Sequence, residues 1–246
     1  MLPFITIFLI FGTSAYALPS VSRIVGGHFA AEGQFAYQVS VQIGRRNHLC
    51  GGSIIASSAI LTAAHCTFGR TPEEIVIAVG STKIEDGDAV YYEVETIINH
   101  EHWNPNLIAN DISLLKLKVP IVLGDDAEIV ELETNEVEDG ALGIVTGWGL
   151  TSPNGEYSNE LKYLESAVIG HEECLRKLNG HEFLQDFNIC GENSHDKGTC
   201  SQDSGGPYVV NGKQVGIVSW GLACADNTAD IYAKVSYYID WINQHS

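Results

Sequence analysis

Three side chains in this sequence have the types needed for nucleophilic catalysis. Ser204 stands in the segment Asp-Ser-Gly-Gly-Pro at 203–207, where the glycines allow a sharp turn that would project the hydroxyl. A serine hydroxyl is a weak nucleophile until a base takes its proton and a third group orients that base. His65, in the segment Thr-Ala-Ala-His-Cys, offers the base, and Asp111, in Asn-Asp-Ile-Ser-Leu-Leu, offers its partner. Together they predict acyl transfer through a serine nucleophile.

Each motif also has an ordinary structural interpretation. A Ser-Gly-Gly segment is most often a loop, a histidine beside a cysteine is usually a packed residue, and an aspartate before an apolar run is usually a strand edge or a helix cap. The order His65, Asp111, Ser204 is one of the known chain orders of a catalytic triad. The three motifs together therefore favour the catalytic interpretation.

With these motifs, the chain from the Arg23-Ile24 bond to its C-terminus resembles the chymotrypsin family of serine endopeptidases. The resemblance implies an all-β fold of two antiparallel six-stranded β-barrels packed together, with a short C-terminal helix. The N-terminal barrel would cover about 24–130, the C-terminal barrel about 131–233 and the helix about 234–245.

Hydrophobic patterning supports strands that could carry the triad. Residues 36–43 alternate apolar and polar side chains, which predicts a half-buried strand. The nearly continuous apolar run at 53–64 predicts one buried strand leading to His65. The acidic stretch 125–139 predicts a solvated connector between the halves. Further strand candidates are 74–79, 90–98, 112–117, 142–148, 161–169, 208–210, 214–219 and 231–233.

The N-terminus predicts export. Its apolar stretch is too short to span a bilayer, and Ala15-Tyr16-Ala17 supplies small residues for cleavage, so 1–17 is interpreted as a signal peptide and 18–23 as a propeptide. The resemblance implies activation by cleavage after Arg23. The new amine of Ile24 would then pair with Asp203, because burying one charge alone is costly.

Charge and cysteine content limit the partners and the compartment. The formal charge of −18, from 13 basic and 31 acidic residues, argues against nucleic acid or an anionic membrane as partner. Six cysteines suit an oxidising, extracellular compartment, although sequence alone permits fifteen pairings. The pairings that the resemblance implies are Cys50–Cys66, Cys174–Cys190 and Cys200–Cys224.

The resemblance also assigns an oxyanion hole, formed by the backbone amides of Gln202 and Ser204. The family usually has glycine where this chain has Gln202. The amide donor survives, but a side chain there is expected to strain the turn or crowd the leaving-group side of the cleft. No cofactor is implied. The loop at 81–89, with Glu85, Asp86 and Asp88, is interpreted as solvated rather than as a calcium site.

The substrate pocket departs from that of trypsins. Trypsins have an aspartate at the pocket base, where this chain has Gly198, and here Asp230 falls on the pocket wall. This arrangement resembles the collagenolytic proteases of crustaceans and insects, and implies cleavage after basic and large apolar residues. Alternatively, Asp230 points to solvent and the pocket is simply chymotrypsin-like. The segment Ser219-Trp220-Gly221 would pair with the substrate backbone.

The sequence thus predicts a secreted, monomeric endopeptidase that acts on proteins or peptides, in digestion. Expected partners besides substrates are protein inhibitors and an activating protease, which would be the enzyme itself if its pocket accepts arginine. Two alternatives remain open: a regulatory cascade protease of narrow specificity, and a weakly active or non-catalytic binding homologue.

Overall fold

The computed structural model describes residues 27–85, 87–150, 156–193, 198–222 and 228–246, with the side chain of Asn193 excluded. The expected signal peptide and propeptide lie outside these residues. Strands make up most of the regular structure. The strands are β1 (His28–Phe29), β2 (Gln38–Ile43), β3 (His48–Ala56), β4 (Ala59–Thr62), β5 (Ile75–Val79), β6 (Val90–Asn99), β7 (Ser113–Leu117), β8 (Glu131–Leu132), β9 (Leu142–Gly147), β10 (Lys162–Ile169), β11 (Asn188–Asn193), β12 (Pro207–Val210), β13 (Lys213–Trp220) and β14 (Asp230–Lys234). The helices are α1 (Ala64–Thr67), α2 (His171–Lys177) and α3 (Ile239–His245), and short 3-10 turns cover Pro72–Glu74 and Val235–Tyr238.

The strands form two closed antiparallel barrels, as expected. In the first barrel the order is β2-β3-β4-β7-β6-β5, and β5 pairs back onto β2. In the second the order is β9-β10-β11-β14-β13-β12, and β12 pairs back onto β9. Strand β1 pairs antiparallel with β10, and β8 adds a short parallel pairing to β13. Closure leaves each six-stranded ring without a free edge.

The interpretation of 53–64 as one strand is wrong. Strand β3 ends at Ala56, Ser57 and Ser58 form a tight turn, and β4 runs antiparallel to β3 before α1 begins at Ala64. Both strands of this hairpin are buried, so the apolar run continues through the reversal and hides it. His65 therefore lies on a helical turn at the end of β4 rather than on a strand.

Strand β2 is buried on both faces instead of one. Its polar face carries Gln38, Ser40 and Gln42, none of which is more than 4% exposed. Thr146 Oγ1 of the second barrel donates to Gln38 Oε1 at 2.5 Å. The polar side of the alternating pattern therefore faces the seam between the barrels, where hydrogen bonds replace water.

The C-terminal helix is shorter than expected, because regular α3 begins at Ile239 after a 3-10 turn. Tyr238, Trp241 and Ile242 belong to the same buried apolar cluster as Ile112 and Leu114 of the first barrel. The last segment of the chain thus packs against the residues that follow Asp111. Burial of side chains of this size typically stabilises a fold by about 1.5–3 kcal/mol each.

The connector at 125–139 is largely exposed, as expected, but includes β8, which the acidic pattern did not indicate. Strand β11 and helix α2 were also missed. Helix α2 has seven residues and buries only Cys174, so its apolar periodicity is too weak to detect. Strand β11 has few apolar residues and is held by pairing with β10 and β14.

Two disulfides join elements near the barrels. Cys50 of β3 bonds to Cys66 of α1, and Cys174 of α2 bonds to Cys190 of β11. Cys200 is also disulfide-bonded, and its expected partner Cys224 lies outside the described residues. No helix in the described part of the chain is long and apolar enough to cross a membrane.

Candidate active site

The helical turn α1 and the carboxylate of Asp111 position His65. Ala63, the N-cap residue of this four-residue helix, has no side-chain acceptor that could cap it. Instead, Asp111 Oδ1 accepts the backbone amide of His65 at 2.8 Å and satisfies one of the amides that every helix start leaves unpaired. Asp111 is only 2% exposed, whereas the His65 side chain is 31% exposed. The imidazole is therefore accessible to solvent, whereas the carboxylate that orients it is buried.

The other oxygen of Asp111 orients the imidazole ring. His65 Nδ1 donates to Asp111 Oδ2 at 2.7 Å, and the hydroxyl of Ser219 donates to the same oxygen at 2.5 Å. A carboxylate only accepts, so Nδ1 carries the proton and Nε2 keeps its lone pair. Burial lowers the pKa of His65, whereas the charge and the hydrogen bond of Asp111 raise it. Together the two effects of Asp111 outweigh burial, so the net pKa lies above its ordinary value of 6.5. Such a ring can accept a proton at Nε2.

The turn that carries Ser204 lies against the segment that precedes His65. Gly51 N donates to Ser204 O at 2.8 Å. Gly205 has a φ of 78°, and a Cβ there would lie 2.6 Å from Gly51 O and 3.2 Å from Ala63 N. Only glycine allows this approach. The fold therefore brings Ser204 next to the start of the helix that holds His65.

Three amides in this turn, including that of Ser201, are not used by the described part of the fold. Cys200, Asp203, Gly205 and Gly206 donate their amide N–H groups to described oxygens. The amides of Gln202 and Ser204 donate to no described group. Gln202 reaches this arrangement with a φ of 75°, a left-handed conformation that costs a non-glycine residue about 1–2 kcal/mol. Its side-chain Oε1 is buried without a partner among the described residues.

Asp203 holds the turn from inside the protein. It is fully buried, its Oδ1 accepts Gly149 N at 2.8 Å, and its Oδ2 accepts Cys200 N at 2.9 Å. Burial raises its pKa to about 7, against the lowering effect of these two amides. Glycine is required at 149, since a Cβ there would overlap the carboxylate. Arg23 and Ile24, the expected activation residues, lie outside the described residues.

A cavity of about 310 Å³ opens beside Ser204. Asp230 lines it and is only 5% exposed, and its Oδ2 accepts Thr199 N at 2.8 Å. A Cβ on Gly221 would lie 3.6 Å from Asp230 Oδ1, so no side chain at 221 screens the carboxylate from the mouth. The interpretation in which Asp230 points to solvent is therefore wrong. Other residues that line the cavity include Ser219, Trp220 and Leu222.

Gly198 is buried one residue before Thr199, where the described lining of the cavity begins. Sequence reasoning placed it at the pocket base. Because a glycine brings no side chain, the acidic group that borders the cavity in this region is Asp230.

Sequence reasoning missed two groups of residues around the cleft. His181 and Phe183, in the loop after α2, contact the Trp220 ring with centroids 5.4 and 6.4 Å away. His48, at the start of β3, donates from Nε2 to the carbonyl of Gln202 at 3.0 Å. No local motif marks these residues, because each contacts the cleft through a distant segment.

Within the described residues, one group of metal-type ligands lies close enough to share an ion: Cys50, His65 and Cys66. The two cysteines are joined in a disulfide and offer no thiolates. In the loop at 81–89, Tyr157 donates its hydroxyl to Glu85 at 2.9 Å, and Asp86 lies outside the described residues.

Comparison with known proteins decides the family. The trypsin family model matches residues 24–242. The chain belongs to the trypsin family. Trypsin of Simulium vittatum is 40% identical over an alignment of 230 residues, which covers 89% of this chain and 92% of that protein. Chymotrypsin-2 of Vespa crabro is 35% identical over 223 residues, 90% of this chain and 99% of that protein.

Human Trypsin-3 is 35% identical over 233 residues, 94% of this chain and 75% of that protein. As a trypsin-family member, the protein is a serine endopeptidase and acts on protein substrates. The relatives carry trypsin and chymotrypsin names alike, so family membership does not select a side-chain preference. None of these names indicates the collagenolytic subtype.

Proposed function

We propose that this trypsin-family protein is a secreted digestive endopeptidase that cleaves peptide bonds through Ser204, His65 and Asp111. The observation that carries the proposal is the hydrogen bond from His65 Nδ1 to Asp111 Oδ2 at 2.7 Å, which leaves Nε2 as the base on the side of the cleft. The adjacent cavity, lined by Ser204 and Asp230, gives a substrate side chain a place to bind.

In the first step, Ser204 Oγ attacks the carbonyl carbon of the scissile peptide, and His65 Nε2 takes the hydroxyl proton. The carbonyl electron pair moves onto oxygen, and the amides of Gln202 and Ser204 donate to that oxyanion. These two amides are suited to this role because no described group in the protein uses them.

In the second step, the oxyanion collapses, the C–N bond breaks and His65 gives its proton to the leaving amine. Water then attacks the acyl-enzyme with His65 again as base, and the acid product leaves. Asp111 holds the imidazole in place and stabilises the imidazolium in both steps. Its two additional hydrogen bonds, from His65 N and Ser219 Oγ, keep it in place during the charge change.

The cavity suits a mixed preference for the residue before the cleaved bond. Asp230 would pair with an arginine or lysine, and Gly221 leaves the mouth open to a large apolar side chain. This pattern resembles that of the collagenolytic subtype, which we propose for this protein. The segment Ser219-Trp220-Gly221 would add the substrate backbone as a strand beside the end of β13.

Cleavage after Arg23 would activate the enzyme. The new amine of Ile24 would compensate Asp203, whose raised pKa reflects a buried carboxylate without a cation among the described residues that accounts for it. If the pocket accepts arginine, the enzyme itself could perform this cleavage. We propose a monomer that is controlled by protein inhibitors and needs no cofactor.

Titration with a serine-directed peptidyl phosphonate tests the proposal. The activated protein should bind one phosphonate per chain at Ser204 and lose peptidase activity in proportion. Ser204→Ala is the matched inactive control, and Ser58→Ala, in the turn between β3 and β4 and outside the lining of the cavity, should label like wild type. An activated wild type that neither labels nor hydrolyses any member of a peptide library would identify a non-catalytic binding homologue. A cleavage profile restricted to one sequence would instead identify a cascade protease.

A further inference from the structure

A chain of hydrogen bonds crosses from the β2–β3 turn to the loop that carries Ser204. Arg46 N donates to Gln42 Oε1 at 2.6 Å, and Gln42 Nε2 donates to Ser40 Oγ at 3.0 Å. Ser40 Oγ lies 2.8 Å from His48 Nδ1, and His48 Nε2 lies 3.0 Å from the carbonyl oxygen of Gln202. We call the three side chains Gln42, Ser40 and His48 the seam relay.

The acceptor at the far end sets the direction of every bond. A carbonyl oxygen can only accept, so His48 Nε2 carries the proton and Nδ1 accepts from Ser40 Oγ. Ser40 then accepts from Gln42 Nε2, and Gln42 Oε1 is occupied by Arg46 N. The three side chains of the seam relay are 5% exposed or less. Burial holds the pKa of His48 at about 4, so the ring stays neutral in this tautomer.

The seam relay acts on the peptide that joins Gln202 to Asp203. His48 binds the carbonyl of this peptide, while its N–H, from Asp203, donates to Cys200 O at 3.1 Å. The peptide is therefore held on both sides. Its orientation sets the ψ angle of Gln202 directly. It thereby limits the φ angles, and so the directions of the Gln202 N–H, that fit between this peptide and the preceding one.

The restraint of this peptide by hydrogen bonds matters because residue 202 is not glycine. Gln202 has a φ of 75°, and a residue with a Cβ relaxes toward negative φ when it is released. Relaxation would turn its amide away from the cleft. The His48 hydrogen bond opposes that change, whereas a glycine at 202 would need little such restraint.

We propose that His48, supported by Ser40 and Gln42, is a positioning residue that keeps the Gln202 amide aimed at the developing oxyanion. This inference rests on the proposed hydrolytic function. The oxyanion forms in the transition state, so loss of the seam relay should lower kcat and leave KM nearly unchanged.

The decisive variant is His48→Phe, which keeps a ring against Trp148 but removes the donor to Gln202. We expect kcat for a peptide anilide to fall roughly 10- to 100-fold, less than the ~100- to 1000-fold cost of deleting an oxyanion donor. KM should stay within about twofold. Affinity for a peptide aldehyde, whose hemiacetal oxygen needs the same amides, should fall in parallel with kcat. His48→Gln, which retains a side-chain N–H, should recover most of the lost kcat.

A double-mutant cycle tests whether His48 acts through Gln202. In the Gln202→Gly background, His48→Phe should cost several-fold less in kcat than in the wild-type background. Ser40→Ala releases His48 from the required tautomer, and should lower kcat by an intermediate factor. Ser40→Ala also provides the test of the seam relay if His48→Phe fails to fold. His171→Phe, an exposed histidine on α2, is the matched control and should keep wild-type kinetics.

Folded His48→Phe or Ser40→Ala with wild-type kcat, whatever the thermal stability, would overturn the inference. An equal loss in the Gln202→Gly background would overturn the route through the Gln202 backbone. Both results presuppose an active wild type with a full phosphonate titre, so a failure here is distinct from a failure of the proposed function.

Discussion

The backbone amide of Thr199 donates to Oδ2 of Asp230 at 2.8 Å, at the border of the cavity beside Ser204. This bond ties the acidic group of the pocket to the segment that leads into the nucleophile turn. Asp230 is thus held in place from the backbone, and its other oxygen faces the side on which Gly221 lies.

Removal of this charge should change substrate preference. We expect Asp230→Asn, which keeps an oxygen for Thr199 N, to lower kcat/KM for cleavage after arginine or lysine by roughly 10- to 150-fold, the range of a hydrogen bond to a charged group. Cleavage after leucine, phenylalanine or tyrosine should remain. Matched peptide anilides measure both. Unchanged cleavage after arginine would show that Asp230 does not bind the basic side chain.

The contact between Asp111 and His65 predicts a pH dependence. His65 must be neutral to act as base, so kcat/KM should fall as pH decreases through its pKa, which lies above 6.5. Asp111→Asn should lower kcat by about 10⁴-fold, since an amide no longer enforces the Nδ1–H tautomer. It should also move the acid limb of the profile to lower pH, since the carboxylate charge is gone. A pH–rate profile of both proteins measures this, and an unmoved limb would contradict it.

Gln202→Gly should stabilise the protein and alter its contacts on the leaving-group side. Relief of the positive φ is worth about 1–2 kcal/mol in the free energy of unfolding, and the buried Oε1 is removed as well. Protein inhibitors should bind more tightly, and large substrates should gain more in kcat/KM than small ones. Asn211→Gly, at a φ of 50° in an exposed turn, is the control for backbone relief alone. Equal kinetics on both substrate sizes, together with equal inhibitor binding, would contradict the crowding argument.

The buried carboxyl of Asp203 predicts opposite pH responses before and after cleavage at Arg23. In the uncleaved chain its pKa is raised from 3.8 to about 7, so the folded state binds its proton more tightly than the unfolded state. Its contribution to stability is present at acid pH and is lost as pH rises toward 7, by at most about 1.4 kcal/mol per pH unit. Asp203→Asn in an Arg23→Gln chain should therefore gain in relative stability as pH rises from 4 to 7.

His48 titrates in the opposite sense. Its pKa falls from 6.5 to about 4 on folding, so its contribution is present above 6.5 and is lost as pH falls. Urea unfolding measures the free energy of unfolding of Asp203→Asn and of its parent at each pH. The contribution of His48 is the same in both proteins and cancels in the difference. In the cleaved protein the amine of Ile24 would pair with Asp203, and the substitution should then destabilise at pH 7 by about 3–5 kcal/mol. A pH-independent difference in both forms would contradict the pairing.

Hydrophobic patterning predicted the positions of secondary-structure elements in several parts of the chain. Alternating or continuous apolar segments located most of the barrel strands, because a strand that faces a core must repeat every second residue or be apolar throughout. Patterns failed where burial is uniform, as across the turn at Ser57 and Ser58. At β2 the alternation located the strand but not its burial on both faces, because its polar face is covered by the other barrel.

By itself, the sequence determined the residue types available for catalysis, the β-rich class and the short acidic side chain at position 230, since these follow from composition, spacing and motif. The tertiary structure alone decided that Asp111 caps and orients His65, that Asp230 borders a cavity, and that His48 reaches Gln202. These contacts join residues 31 to 154 positions apart. Their geometry depends on how the two closed barrels fold and pack. A local sequence pattern carries no information about contacts between such distant positions.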